Sequence, residues 1–186
     1  MSFDFILKHI STPIYLLIDE YKNLNVLNNL KNKILNHPGS ELSYKTNVKG
    51  KFTGFESLIN DENLHIFLKD IHKQINFIYK NNFQIKDAWG NICKKNEEVI
   101  EHHHGSTSAF CGILYLSEGG PGTFFTEFNV TVEEKFGKFV LFHPSALHSV
   151  KKINKEIERI TIAFNMNEIK NWNNTTNIKW VNKNDI

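Results

Sequence analysis

The sequence predicts an α+β fold that is mainly β: a sandwich, barrel or jelly roll of short strands, with helices supplied by the first half of the chain. Three observations carry this. From residue 85 onward the chain breaks into short runs rich in β-branched and aromatic residues, separated by turn signals at SEGGPG 117–122, KFGK 135–138 and HPSA 143–146. Before residue 84 the apolar spacing is helical. At 186 residues there is length for one core and not for two. No internal repeat, low-complexity tract or linker interrupts the chain. The expected organisation is a single domain over 1–186, with a helical N-terminal support region at 1–84, a jelly-roll core at 85–167 and a C-terminal tail at 168–186.

Taken in order, the segment 19–37 places Leu24, Leu27, Leu30 and Ile34 at helical spacing, and PGS at 38–40 stops it. A second helix has Asp61 as its cap and Leu64, Phe67, Leu68, Ile71, Ile75 and Ile78 as one apolar stripe, ending before Asn81 and Asn82. His65 and His72 on that helix have no carboxylate partner at ligand spacing and are expected at its surface or core edge. The strand runs are DAWGNICKK, AFCGILYLS, GTFFTEFNVTV, GKFVLFH and RITIAFNM. The polar tail has Trp172 and Trp180 as its only large anchors, and partial flexibility is expected there.

Composition narrows the function classes. Apolar content of 40% and charged content of 23% are those of an ordinary globular protein. A net charge of +2, with lysines dispersed among acids and asparagines, gives neither a nucleic-acid stripe nor a membrane-binding face. No apolar stretch is long enough to cross a bilayer, and the first residues lack the pattern of a secretion signal. Cys93 and Cys111 form no CxxC pair and are expected to be buried thiols in a reducing, cytoplasmic setting.

The chemistry centres on EHHHGSTSAFCGILYL, residues 101–116. In an extended segment alternate side chains share a face, so His102 and His104 form a two-ligand clip while His103 points away. Imidazole suits divalent iron, zinc or copper, and a third ligand from a neighbouring strand would complete a facial set with open positions. GKFVLFHPSALHSV offers His148 at the start of a strand after a proline turn, with His143 before the turn as a turn residue. Arg159 is the only arginine among 22 lysines and arginines, and it opens an otherwise apolar strand. A planar fork that binds a carboxylate through two hydrogen bonds explains that choice, whereas a salt bridge to Glu156 or Glu158 would be served by lysine. Thr161, two residues on, shares its face. Trp89, Phe110, Tyr115, Phe124, Phe125 and Phe128 are expected in the sandwich core, with some aromatics at a pocket mouth.

These motifs, HxH, GxLYLxxGGxGxxF, GxxxLFxPxxLHSV and RITIAFN, resemble those of the Fe(II)- and 2-oxoglutarate-dependent oxygenase superfamily. TPIY at 12–15, GFES at 54–57, WGN at 89–91, CGILYL at 111–116 and FHPSALHSV at 142–150 are more narrowly similar to an oxygenase group found in phages and marine bacteria. The resemblance runs to about Asn167 and is most specific between Gly137 and Asn165. It implies a double-stranded β-helix, cupin-like, with Fe(II), 2-oxoglutarate and O2 as cofactors. It also implies the cytoplasm of a bacterium or infected host cell.

By the same resemblance, His102 and His148 ligate iron, Arg159 with Thr161 grips the distal carboxylate of 2-oxoglutarate, and Asn91 reaches the cosubstrate. The departure is the third ligand, where relatives carry HxD or HxE. His104 takes the carboxylate's place in the simplest account; Glu127 or a water are the alternatives. The substrate is an unknown small molecule or protein side chain. Two rival functions are a three-histidine cupin-type oxygenase that does not use 2-oxoglutarate, and a non-catalytic jelly-roll binding protein.

Overall fold

The computed structural model describes residues 4–8, 14–38, 46–78, 83–105, 108–169 and 180–181, with 4–8, 73–78 and 180–181 described by backbone alone. The elements are β1 (Asp4–Lys8), β2 (Ile14–Glu20), α1 (Leu24–Leu35), β3 (Lys51–Phe52), α2 (Glu62–Ile78), β4 (Phe83–Cys93) and β5 (Val99–His102). There follow β6 (Phe110–Tyr115), β7 (Thr123–Phe125), a 3-10 turn (Thr126–Phe128), β8 (Val130–Val132), β9 (Lys138–Phe142), β10 (His148–Val150), β11 (Arg159–Glu168) and β12 (Trp180–Val181). Among the described residues, the large sheet has the order β1-β2-β9-β6-β11-β4-β12, with β3 also beside β4, and the small sheet has the order β5-β10-β7-β8. Every strand pairing is antiparallel. The two sheets pack face to face as a jelly roll, as expected.

Helix α1 begins where the Asn23 side chain accepts from the Val26 N–H, and α2 where Asp61 Oδ1 accepts from the N–H groups of Asn63 and Leu64. Their apolar faces, Leu27, Leu30 and Ile34 on one and Leu64, Phe67, Leu68 and Ile71 on the other, are buried on the outer face of the large sheet. Ile75 and Ile78, Asn81 and Asn82, and most of PGS 38–40 lie outside the residues whose side chains are described. So does the tail apart from β12, including Trp172 and the expected flexibility; Trp180 itself pairs with Gln84.

Because helices cover one face of the large sheet and the small sheet covers the other, its strands are buried on both sides and read as continuous apolar runs. Their parity still sorts the residues. On β11, Ile160, Ile162, Phe164 and Met166 face the helices. Arg159, Thr161, Ala163 and Asn165 alternate with them and face inward. On β4 the inward set is Trp89, Asn91 and Cys93. Gly112 on β6 allows close contact on the helix side, since a Cβ there would stand 2.1 Å from Phe164 Cζ.

The first 84 residues do more than supply helices. β2 lies between β1 and β9, and Phe83 and Gln84 already belong to β4. Residues 46–53 also strap the two sheets together. Ile100 N–H donates to Asn47 O and Lys49 N–H to Glu98 O, each at 2.9 Å, on the β5 edge. β3 then pairs with β4, and Thr53 N–H donates to Gly90 O at 3.1 Å. Among the described residues no helix is long and apolar enough to cross a membrane.

Candidate metal centre

The register of the small sheet places His102, the last residue of β5, directly opposite His148, the first residue of β10. His104 lies two residues beyond, outside the strand, where its N–H donates to Pro144 O at 2.8 Å across the HPSA turn. This backbone contact holds the second half of the clip after the strand itself has ended. One ligand nitrogen from each of His102, His104 and His148 lies within 4.8 Å of the others. No carboxylate among the described residues joins the group.

The remaining ring nitrogens fix which nitrogen is free. His102 Nδ1 lies 2.8 Å from Ile100 O and His148 Nδ1 lies 3.0 Å from Ala146 O. Carbonyl oxygens only accept, so both Nδ1 atoms carry the proton and both Nε2 atoms present lone pairs. His104 Nδ1 lies 2.6 Å from Asn165 Oδ1, and the Asn165 amide is oriented by its Nδ2 donating to Asp87 Oδ2 at 3.2 Å. Burial lowers the pKa of all three: His102 moderately, His104 to about 4, and His148 well below the ordinary value, with repulsion from His102 and His104 adding to its burial. They are neutral imidazoles at pH 7, the form that binds metal.

Three neutral Nε2 donors suit iron, zinc, copper or nickel. In a facial or tetrahedral set with nitrogens at about 2.1 Å from the metal, neighbouring nitrogens stand about 3.0–3.4 Å apart, so small side-chain rotations that draw them together by up to about 2 Å close the set. The Asn165–Asp87 pair is the outer support such a ligand needs. Asn165→Ala is expected to lower Ni(II) affinity about 10- to 100-fold by isothermal titration, by freeing the His104 ring to rotate.

Glu127 is placed differently from the alternative considered for it. Its carboxylate accepts the Leu147 N–H at 2.9 and 3.1 Å, which secures the loop just before His148. His103 Nδ1 accepts the Gly105 N–H at 2.9 Å and is not part of the group. His143 Nδ1 accepts the Ser145 N–H, a turn contact as expected. Cys93 and Cys111 are free and buried. His65 is partly exposed, whereas His72 is fully buried and not at the edge. Phe110, Tyr115 and Phe125 are core residues, Phe124 and Phe128 are half-buried, and Trp89 is buried but borders the site.

Behind the histidines a narrow inner cavity is lined by Asn91, Arg159 and Thr161 as well. Arg159 is 2% exposed. Its Nε donates to Pro121 O at 3.2 Å, its Nη2 to Thr123 Oγ1 at 3.0 Å, and its guanidinium lies 5.4 Å over the Tyr115 ring. Tyr115 OH also donates to Thr123 Oγ1, so the fork is held from two sides. Of five guanidinium N–H groups, that leaves three. Glu158 and Glu156 pair with Lys94 and Lys95 instead, and no carboxylate among the described residues forms a salt bridge with Arg159. Asn91 stands opposite Thr161 on the adjacent strand, 6% exposed, with no hydrogen-bond partner for its Oδ1 among the described residues. The cavity therefore holds a buried cation with N–H groups to spare beside three imidazoles, an arrangement suited to a small dicarboxylate, while the Asn91 Oδ1 is an acceptor for a donor group.

Sequence reasoning missed Asn165 and Asp87. The parity that selected Arg159 and Thr161 also selects Asn165, two turns of the alternation further on. Asp87 is visible only through cross-strand pairing, since it stands opposite Asn165 on β4.

Fold and site together define a jelly-roll protein with a three-histidine cluster and a buried arginine inside the roll. No family model and no curated protein matches the chain. Solved structures do. The viral collagen prolyl hydroxylase of Paramecium Bursaria Chlorella virus-1, in complex with 2-oxoglutarate, is similar with a TM-score of 0.63 at 12% identity, over 80% of this chain and 94% of that one. HygX from Streptomyces hygroscopicus, with nickel and 2-oxoglutarate bound, gives 0.62 at 10% identity over 82% of each chain. The non-heme alpha-ketoglutarate-dependent epimerase SnoN from nogalamycin biosynthesis gives 0.63 at 12% identity, over 81% and 76%. At these identities the likeness establishes the jelly-roll fold.

Proposed function

We propose that this protein is an iron(II)- and 2-oxoglutarate-dependent oxygenase that hydroxylates a C–H bond of a small molecule or protein side chain. His102, His104 and His148 serve as the metal ligands, and Arg159, Thr161 and Asn91 as the cosubstrate's anchors. The observation that carries this reading is the buried Arg159, without a salt-bridged carboxylate among the described residues, in the same cavity as three histidines whose ligand nitrogens converge. Likeness in fold to proteins described with 2-oxoglutarate or alpha-ketoglutarate supports it.

When bound, iron and cosubstrate supply the redox chemistry: 2-oxoglutarate, O2 and R–H become succinate, CO2 and R–OH. The chain's own residues bind, orient and exclude. The Arg159 fork takes the distal carboxylate through paired charge-assisted hydrogen bonds, which low local dielectric strengthens. Tyr115 and Thr123 hold that fork in place before the ligand arrives. The Asn91 amide and Thr161 hydroxyl add hydrogen bonds along the same wall. His102, His104 and His148 would hold the metal through three neutral nitrogens, and positions beyond these three would serve cosubstrate and dioxygen. Because all three ligands are neutral, the metal keeps its full charge and attracts a dianionic cosubstrate more strongly than a carboxylate-containing set would.

The three-histidine set is also the observation that favours a rival, an oxygenase that does without 2-oxoglutarate. Incubation of the Fe(II)-loaded protein with 2-oxoglutarate in air, followed by NMR, decides between them. The expected result is succinate formed only with metal, cosubstrate and O2 all present. Oxygen consumption that ignores 2-oxoglutarate would favour the rival, and bound metal with no turnover of either kind would favour a binding module. The narrower likeness to a phage and marine-bacterial group rests on the sequence motifs, and a cytoplasmic setting on the two free cysteines.

A further inference from the structure

On the other side of the histidines lies a wider groove of about 360 Å³. It shares Val48, Trp89, His102 and His104 with the inner cavity, so these four residues form the partition between the two chambers. One wall is aromatic. Phe52 and Phe55 pack at 4.9 Å between ring centroids, Phe55 and Trp89 at 5.1 Å, and Trp89 stacks on His104 at 6.2 Å. The wall runs from Phe55, which is 50% exposed, inward to a proposed metal ligand. Such an exposed phenylalanine beside a cavity is the kind of apolar surface that a ligand covers.

Apart from Val48, the rest of the described lining is polar. His103 Nδ1 accepts the Gly105 N–H, so the neutral ring carries its proton on Nε2, a donor free to face a ligand. The exposed Asn47 side chain offers both a donor and an acceptor. Among the described residues, no Asp, Glu, Lys or Arg lines the groove.

We infer that this groove binds the primary substrate, and that the substrate is an uncharged organic group with an apolar ring or ring-sized face and a hydrogen-bond acceptor at its edge. The inference rests on the oxygenase reading for what then happens to that group. An anionic substrate has no Lys or Arg to meet among the described residues of the groove. A cationic one has no acid to meet among the same residues. The aromatic rings pack edge to face on one another, at interplanar angles of 70° and 79°, so they form one continuous apolar wall and do not surround an open space as a cage for an ammonium would. His103, set aside by strand parity as a bystander to the metal, thereby becomes a substrate-positioning residue.

Three isosteric probes test this on the full chain: cyclohexanecarboxamide, cyclohexanecarboxylate and cyclohexylmethylammonium, each titrated by ligand-observed NMR with and without Ni(II) and 2-oxoglutarate. The amide is expected to bind at least tenfold more tightly than either charged probe. Phe55→Ala is expected to weaken it about fivefold or more, and His103→Ala by about fivefold, the worth of one hydrogen bond. A charged probe that binds as tightly as the amide, or an amide affinity indifferent to both substitutions, overturns the inference. So does absence of amide binding to protein that holds Ni(II). Failure to hold Ni(II) at all would instead sink the oxygenase reading, while the amide titration without metal still decides the groove.

Discussion

Arg159→Met is expected to weaken 2-oxoglutarate binding by two to three powers of ten and to leave the metal- and ligand-free protein at least as stable as the parent. The affinity loss follows from removing two charge-assisted hydrogen bonds from a buried carboxylate, together about 3–4 kcal/mol. The stability outcome follows from what surrounds the guanidinium. At 2% exposure it has given up its hydration, and its direct partners are a carbonyl, a hydroxyl and a ring face; no acid among the described residues is in salt-bridge contact, and the buried Glu134 carboxylate accepts from Ser117 and Gly120 instead. A buried cation with no acid in direct contact costs the folded state its desolvation, and an apolar chain of similar length removes that cost. Arg159→Lys should recover part of the affinity, because a point charge replaces a fork. Calorimetric titration of 2-oxoglutarate into Ni(II)-loaded protein, with thermal melts of the apo forms, checks both halves. Unchanged affinity would remove Arg159 from the cosubstrate site, and a melting point several degrees lower would make it a structural residue.

The second large effect is expected at the metal. His148 is 4% exposed and its ring centroid stands 4.3 Å from that of His102 and 5.1 Å from that of His104, so it contacts both partners. His148→Ala and His104→Ala should each lower Ni(II) or Fe(II) affinity more than about 100-fold, beyond the 10- to 100-fold typical of losing only an outer support. Glu127→Gln should leave that affinity unchanged, because the amide oxygen still accepts the Leu147 N–H that the carboxylate holds. Metal titrations of the three variants distinguish the third-ligand assignments directly. Retained affinity in His104→Ala together with loss in Glu127→Gln would reverse the assignment proposed here.

Much of this arrangement was legible from alternation within single strands. Parity alone paired His102 with His104 and Arg159 with Thr161, and the turn at Pro144 placed His148 at a strand start. What alternation cannot show is which strands lie side by side. Asp87 supports His104 through Asn165, 78 residues away in sequence, and Glu127 secures Leu147 across 20. The strap at 46–53 was invisible for a related reason. Its ordering comes from backbone pairing with β5 and β4 and not from its own composition, so no local period marks it. His103 was judged by its orientation toward the metal, and only the position of the groove gives it another role. Asp19 and Glu20 end a strand and do not start a helix, because the β2 pairing with β9 runs from Leu16 through both of them; a helical spacing that starts at Leu24 could not reveal its neighbour.

The alternation along β11 also acts as an assembly check. A slip of one residue against β4 and β6 would turn Arg159, Thr161 and Asn165 toward the helix layer and bring Ile160, Ile162 and Phe164 into the site. That misfolded form would place a charge among the leucines of α1 and α2 while filling the cavity with hydrocarbon, so it would lose stability and ligand binding in a single step. Activity and correct folding are thus read out by the same strand, and molecules that reach the packed state should carry a complete site.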